Sequence, residues 1–296
     1  MNTPVLLITF NRPEHTYRVL EAIMAAQPKD LYVFQDGARE GNEKDLVNCP
    51  KVREVVQKLV EGTETNLHSY YSERNLGCGP GPASAITWFF DNVEYGIILE
   101  DDIIPHPLFW KYMEELLVRF KNDEHVGMVC GHNLQRAYYG KASYHFTNAM
   151  AGTLGWGTWR RVWKDFTWDI TFDASELDGA LKHFYHTPKV LRKRVIKNYA
   201  KWLGGTRHDS WDFQWDYYLA IHGYLNARAN SCLTSHEGND GNGTHTYFNP
   251  NYLMQVNEPL FETIIHPNRV VIHPKIRLRM YYRALRAMLG NLLKRR

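Results

Sequence analysis

Three carboxylates in a row, Glu100-Asp101-Asp102, directly follow the apolar run from Tyr95 to Leu99. Side by side at the end of a buried strand, they repel one another and lose hydration unless a cation compensates them. Hard divalent ions such as Mn2+ or Mg2+ take carboxylate and phosphate oxygens together, so this acidic strand end suits a metal-diphosphate complex. The competing assignment is a solvated turn, which fits less well with a buried strand before the triplet and Pro105 after it. A second carboxylate, Asp36, ends the apolar run from Leu31 to Gln35 and precedes Gly37. A third, Asp212, opens a helical pattern that runs to His222, where a negative charge gains a modest interaction with the helix dipole.

The elements that must position these groups alternate. Pro4 to Thr9 reads as a buried strand closed by Asn11-Arg12-Pro13, and Glu14 to Ala26 has helical spacing. The same rhythm continues with a strand at 31–35, a helix at 52–60, a strand at 68–72, a Gly/Pro-dense loop at 74–82, a helix at 83–91 and a strand at 95–99. Strands alternating with helices predict an α/β fold with a mostly parallel central sheet flanked by helices. Such sheets bind ligands at the carboxyl ends of their strands, which places Asn11-Arg12, Asp36-Gly37 and the acidic triplet on one rim. The second half loses this rhythm and holds a strand at 126–130, a tryptophan-rich stretch at 156–168, basic helical segments at 175–203 and a Gly/Asn/His loop at 235–246. With no repeat or low-complexity linker, residues 1–274 are expected to form one domain, whose halves are 1–130 and 131–274, with 235–246 as a lid.

No window approaches the ~18 uninterrupted apolar residues of a membrane span, and the first residues lack the pattern of a secretory leader, so a cytoplasmic protein is expected. Cys49, Cys78, Cys130 and Cys232 are far apart and form no CxxC pair, which argues for reduced thiols over a disulfide framework or zinc cage. The net charge of +3 conceals an asymmetry: residues 275–296 carry eight Lys/Arg and no acid, leaving 27 basic against 32 acidic residues in the rest. A basic patch over the body would argue for nucleic acid, whereas a terminal cluster argues for an anionic surface touched at one end. Apolar residues recur there at three- and four-residue steps, the pattern of a basic amphipathic helix that either lies in an anionic membrane interface or packs on the body.

The segment from Ile97 through the triplet to Trp110 resembles the acidic, DxD-type nucleotide-sugar motif of GT-A glycosyltransferases. In its EDD form it is similar to N-acetylglucosaminyltransferase I and to bacterial glycosyltransferase-family-2-like proteins. Four more segments resemble that family's in the family's order: Thr9-Phe10-Asn11-Arg12, Phe34-Gln35-Asp36-Gly37, Leu154-Gly155-Trp156 and Ser210-Trp211-Asp212. The resemblance implies a GT-A, Rossmann-like nucleotide-diphospho-sugar transferase fold. It also implies an inverting transfer from a nucleotide-diphosphate sugar, a UDP-sugar favoured, to a glycan or lipid-linked oligosaccharide, which the basic tail would place at the cytosolic face of a membrane. Mn2+ or Mg2+ on Asp102 would neutralise the leaving diphosphate, with Asp101 facing the ribose and Glu100 the donor sugar or a water on the metal. Arg12 and Asp36 would fix the nucleoside end, and Asp212 would take the proton of the acceptor hydroxyl.

The resemblance also reaches the lid, where Gly243-Thr244-His245-Thr246 is similar to the end of the acidic Gly-rich loop of bacterial relatives. That gives His245 either a place on the diphosphate or metal or the part of a plain loop histidine. The start, Thr234-Ser235-His236, departs from the family pattern. Trp156, Trp159 and Trp163 follow helical spacing and read as core, except that Gly155 and Gly157 would let a ligand approach Trp156; Trp211 divides evenly between core and site. The basic residues between Ser175 and Gly205 form either a solvated face or an acceptor-binding insertion. Two rival functions stand beside transfer: a sugar-1-phosphate nucleotidyltransferase, and a non-catalytic carbohydrate-binding or membrane-scaffold protein on the same fold.

Overall fold

Five residues with no charge among them, Val5–Thr9, are all buried and form β1, the strand around which the sheet is laid down. In this computed structural model residues 1–133, 141–148, 152–206, 209–238, 255–256, 261–279 and 282 are described. After β1 come α1 (Pro13–Ala25), β2 (Asp30–Gln35), α2 (Glu43–Val60), β3 (Asn66–Tyr71), α3 (Pro80–Asn92) and β4 (Tyr95–Glu100). There follow β5 (Ile103–Pro105), α4 (Pro107–Arg119), β6 (Val126–Cys130), β7 (Tyr144–Thr147) and β8 (Trp156–Trp159). The remaining elements are α5 (Arg160–Trp163), α6 (Ala174–His183), α7 (Lys189–Lys201), α8 (Trp211–Ile221), β9 (Leu225–Ala229) and β10 (Thr234–His236).

Eight strands form one sheet in the order β3-β2-β1-β4-β8-β6-β9-β7. β1 pairs in parallel with both β2 and β4, β2 with β3, and β6 with β9, while β8 and β7 run against their neighbours. The α/β class and the mostly parallel, helix-flanked sheet expected from the sequence are therefore what the chain adopts. A two-stranded antiparallel sheet, β5 with β10, stands apart from the large one.

Helix starts follow local chemistry. Pro13 and Pro107 sit in the first turns of α1 and α4, where a missing N–H costs no hydrogen bond. Asn42 caps α2 by accepting from the Asp45 N–H at 3.1 Å, and α2 runs through Pro50, so the helix is longer than the stretch 52–60 that the sequence pattern marks. The three tryptophans at helical spacing divide differently from expectation. Trp156 and Trp159 lie in β8, between β4 and β6, and only Trp163 is helical. One apolar cluster follows the large sheet through β1, β2, β4, β6 and β8, and a second joins α6, α7 and α8 through Leu177, Tyr199 and Tyr217.

Candidate functional site

Strand register assembles the rim. Thr9 lies opposite Gln35, and Ile8 opposite Glu100, so the residues just past β1, β2 and β4 share one edge. Arg12 comes from the turn before α1, Asp36 from the end of β2, and Asp101-Asp102 from the turn between β4 and β5. The small sheet adds a group from far along the chain: His236 is paired with Ile103, and its Nε2 lies 3.5 Å from Asp102 Oδ2. The Glu237 N–H donates to the Asp102 carbonyl at 2.9 Å and closes this corner.

Asp101 and Asp102 are buried, at 2% and 8% exposure, and Arg12 compensates both. Its Nη1 is 3.0 Å from Asp102 Oδ2, its Nη2 is paired with Asp101 Oδ1, and its Nε reaches Asp101 Oδ2 at 3.4 Å. The cation that the sequence argument required is thus present as a side chain. Burial works against the Arg12 charge, but the two carboxylates outweigh it and hold the guanidinium above its ordinary range. Burial pushes Asp102 up, yet the hydrogen bond with His236 and the charge of Arg12 outweigh that and hold its carboxyl at about 2. Glu100 is driven the other way: burial first, then the charges of Asp102, Asp212 and Asp101, push it to about 8.

Asp212 reaches this site from the start of α8. The Ser210 hydroxyl donates to Asp212 Oδ1 and fixes the rotation of the carboxylate. The loop before α3 abuts the same segment through Cys78, whose Sγ lies 3.5 Å from the Asp209 carbonyl. Burial and then the charges of Asp209, Asp212 and Glu100 push the Cys78 thiol up, which marks these groups as neighbours.

The geometry admits a divalent ion at Asp102. Ligands in neighbouring positions around such an ion, each bonded at ~2.0–2.2 Å, lie about 3 Å apart, near the 3.5 Å between Asp102 Oδ2 and His236 Nε2. A Cβ on Gly238 would stand 2.4 Å from Asp102 Oδ2 and 3.0 Å from His236 Nε2, so only glycine lets the backbone pack this close to the pair. His236 Nδ1 is buried with no hydrogen-bond partner among the described residues. Among those residues no three His, Cys, Asp or Glu side chains enclose a metal by themselves, so phosphate oxygens would have to complete the shell.

The other expected site residues are placed as follows. Asp36 is buried and accepts from the N–H groups of Gly37 (2.9 Å), Leu76 (2.8 Å) and Gly77 (3.0 Å) and from Asn75 Nδ2 (3.0 Å). Burial outweighs those bonds and pushes its carboxyl up. Trp156 is fully buried, stacked on Trp211 at 5.6 Å, and it supports that residue from behind. The flanking glycines admit protein where a ligand was expected: a Cβ on Gly157 would meet the Gly96 carbonyl at 2.6 Å, and Gly155 adopts φ +80°. His245 and most of the lid at 235–246 lie outside the described residues.

Two features escaped the sequence reading. His236 was passed over because its β5 partner is some 130 residues away, and the departure of Thr234-Ser235-His236 from the family pattern was its one signal. The second is a buried knot beside Arg12. Asp45 accepts from Arg39 Nε and Asn11 Nδ2, both at 2.6 Å, and Arg39 lies over the Phe10 ring at 5.4 Å. The Arg39 hydrogen bond, opposed by burial and aided by Asn11, holds Asp45 at about 2.

No protein-family profile matches the chain. Among solved structures it is similar to mouse xyloside xylosyltransferase 1 in its apo form, at 11% identity over 75% of this chain and 82% of that one, with a TM-score of 0.35. It is also similar to a UDP-glucose pyrophosphorylase complexed with UDP-glucose, at 10% identity over 55% and 78% of the two chains and a TM-score of 0.35. The inositol-1-phosphate CTP transferase of T. maritima matches at 13% identity over 58% and 77%, with a TM-score of 0.33.

Proposed function

We propose that this chain is an inverting GT-A glycosyltransferase that moves a sugar from a nucleotide-diphosphate donor, a UDP-sugar favoured, to a glycan or lipid-linked acceptor at a membrane surface. The observation that carries this reading is the convergence of two acidic groups with different tasks. Asp102 lies beside His236 at the end of β4, Asp212 is held by Ser210 at the start of α8, and the charges of both push the Glu100 carboxyl up. Asp102 and His236 would hold Mn2+ or Mg2+, and the ion, when bound, supplies positive charge for the departing diphosphate. Arg12 lies within reach of the same place and would pass from Asp102 to a phosphate oxygen as the donor settles. Asp212 would receive the proton of the acceptor hydroxyl as that oxygen attacks the anomeric carbon from the face opposite the leaving group. Trp211, backed by Trp156, stiffens the helix start that carries the base.

The rival nucleotidyltransferase reading needs a Gly-rich basic loop after the first strand. Here only Phe10-Asn11-Arg12 separates β1 from α1, too short a link for such a loop and without a glycine. The deciding experiment offers the protein a panel of UDP-, GDP- and dTDP-sugars and follows nucleoside diphosphate release by mass spectrometry, with and without EDTA. EDTA-sensitive UDP release supports transfer. Pyrophosphate from a nucleoside triphosphate and a sugar 1-phosphate, with no diphosphate release from any sugar nucleotide, would replace it with the rival.

A further inference from the structure

The basic helix α7, whose place in the sequence left its role open, carries Lys189, Arg192, Lys193, Arg194, Lys197 and Lys201 and no acid. At 100° per residue, Leu191, Val195 and Tyr199 fall on one side, where Leu191 and Tyr199 are buried, and Val190, Lys193 and Lys197 fall on the opposite side. Arg192 is held against the body by Asp178 at 2.7 Å, whereas Lys189, Lys193 and Lys197 are exposed and Val190 is 53% exposed. An exposed arc that mixes lysines with an aliphatic residue suits an interface with both anionic and apolar character.

The C-terminal segment arrives at the same place. Residues 274–279 are helical, and Ile276, 2% exposed, enters the apolar cluster that also contains Leu177, Tyr185 and Tyr199. Arg277 lines a small cleft together with Pro188 and Leu191 at the start of α7. Packing on the body and presenting basic charge are therefore compatible in this segment. Nearby, Val271, Leu278 and Tyr282 are 53%, 54% and 62% exposed.

Charge bookkeeping makes the asymmetry larger than the tail alone suggests. Of 35 basic residues, seven lie in 182–201 and eight in 275–296, and neither stretch has an acid; the other 254 residues hold twenty basic against 32 acidic groups, a net of −12. An anionic surface attracts such acid-free basic stretches and repels the acidic remainder.

We propose that α7 and residues 274–279, which pack beside it, together form one docking surface for an anionic lipid bilayer. This deepens the membrane part of the proposed function and rests on it. α8 links the surface to the site, since Tyr199 of α7 donates to Asp216 at 2.5 Å on the helix that begins with Trp211-Asp212. A lipid-borne acceptor would then be offered to a site whose base stands on a helix anchored at the membrane side.

The test is co-sedimentation of the full chain with vesicles of equal parts phosphatidylcholine and phosphatidylglycerol, beside pure phosphatidylcholine. Wild-type protein should bind only the anionic vesicles and be released as added salt shortens the screening length from ~10 Å at 0.1 M to ~3 Å at 1 M. The triple variant Lys189→Gln, Lys193→Gln, Lys197→Gln should lower partitioning by about a hundredfold, at roughly fivefold per basic residue. Its melting temperature should stay unchanged, because the three side chains are exposed. The matching Lys→Arg variant should bind as wild type. A glutamine variant that binds like wild type, while Lys294→Gln, Arg295→Gln, Arg296→Gln does not, overturns the role of α7 and leaves anchoring to the tail alone. Wild-type protein that ignores anionic vesicles removes the membrane reading and this inference together.

Discussion

Asp36 and Asp102 stand past the ends of β2 and β4, the two strands that flank β1, and both are buried, yet they are compensated by different kinds of group. Asp36 is held by three backbone N–H groups and an asparagine amide, all neutral and all belonging to the chain that follows it. Asp102 is held by Arg12 and His236, two side chains that carry or can carry positive charge. Backbone donors cannot leave without dismantling their loop, whereas a side-chain cation can rotate away and be exchanged for another cation. The end of β2 is built to organise the 74–79 loop, and the end of β4 is built to trade counter-charges.

The largest effect expected concerns Asp212 at the start of α8. Asp212→Asn should lower turnover by ~10²–10⁴, the range for losing a general base, with donor affinity nearly unchanged in a UDP-binding titration. Substantial residual transfer would move the base elsewhere. Next, the two strand ends should fail in different ways. Asp36→Ala leaves three N–H groups without their acceptor, a loss on the order of 3 kcal/mol, seen as a melting temperature lower by several degrees. Asp102→Asn should also melt lower, because it removes the carboxylate that Arg12 and His236 hold ionised, but unlike Asp36→Ala it should lose Mn2+-dependent UDP binding. Equal effects from the two substitutions would erase the distinction between a structural and an exchangeable carboxylate.

Arg12 sharpens the same comparison at smaller magnitude. While it lies on Asp101 and Asp102, a divalent ion must displace a charge already in place. Mn2+ should therefore bind weakly alone and better with UDP, whose phosphates give Arg12 another partner. Arg12→Met should raise the affinity for Mn2+ without nucleotide by about tenfold, read by electron paramagnetic resonance titration, and weaken the advantage that UDP confers. A lower Mn2+ affinity in the variant would mean that Arg12 shapes the site for metal and does not compete with it.

What was legible in the sequence and what was not divides along contact range. Val5–Thr9, Leu31–Gln35 and Tyr95–Leu99 are apolar runs whose burial needs no knowledge of the rest of the chain, and they place the acidic triplet on the rim. β8 is the opposite case. Trp156 and Trp159 have spacing compatible with a helix, and only insertion between β4 and β6 makes the segment a strand. His236 depends on a strand pairing that no local pattern records, and the buried position of Trp156 depends on Trp163, Trp211 and Trp215 packing around it. The sequence pattern marks a helix only over 52–60, whereas the Asn42 cap and buried Val52 and Val56 carry α2 from Glu43 through Pro50.

The last effect expected is a pH dependence at Glu100, and its sign follows from the carboxylate crowding. An unfolded glutamate ionises near 4.5, while the folded chain keeps this carboxyl protonated to about 8. Below 4.5 both states hold the proton. Between 4.5 and 8 the unfolded chain sheds a proton that the folded chain retains, so the contribution of Glu100 to stability is lost as pH rises through that window. Asp102 acts in the opposite sense and only in acid, its contribution being present above 3.8 and lost as pH falls through about 2. Glu100→Gln removes the ionisable group while keeping its size. In metal-free buffer the variant should melt like wild type at about pH 5 and increasingly above it towards about pH 9, where wild type carries a fourth charge beside Asp101, Asp102 and Asp212. Adding Mn2+ and UDP should narrow the gap, because a divalent cation compensates the charge that the substitution removes. A melting difference that is the same at every pH would show that Glu100 is not the group under strain, and the crowding at the end of β4 would have to be relieved by another residue.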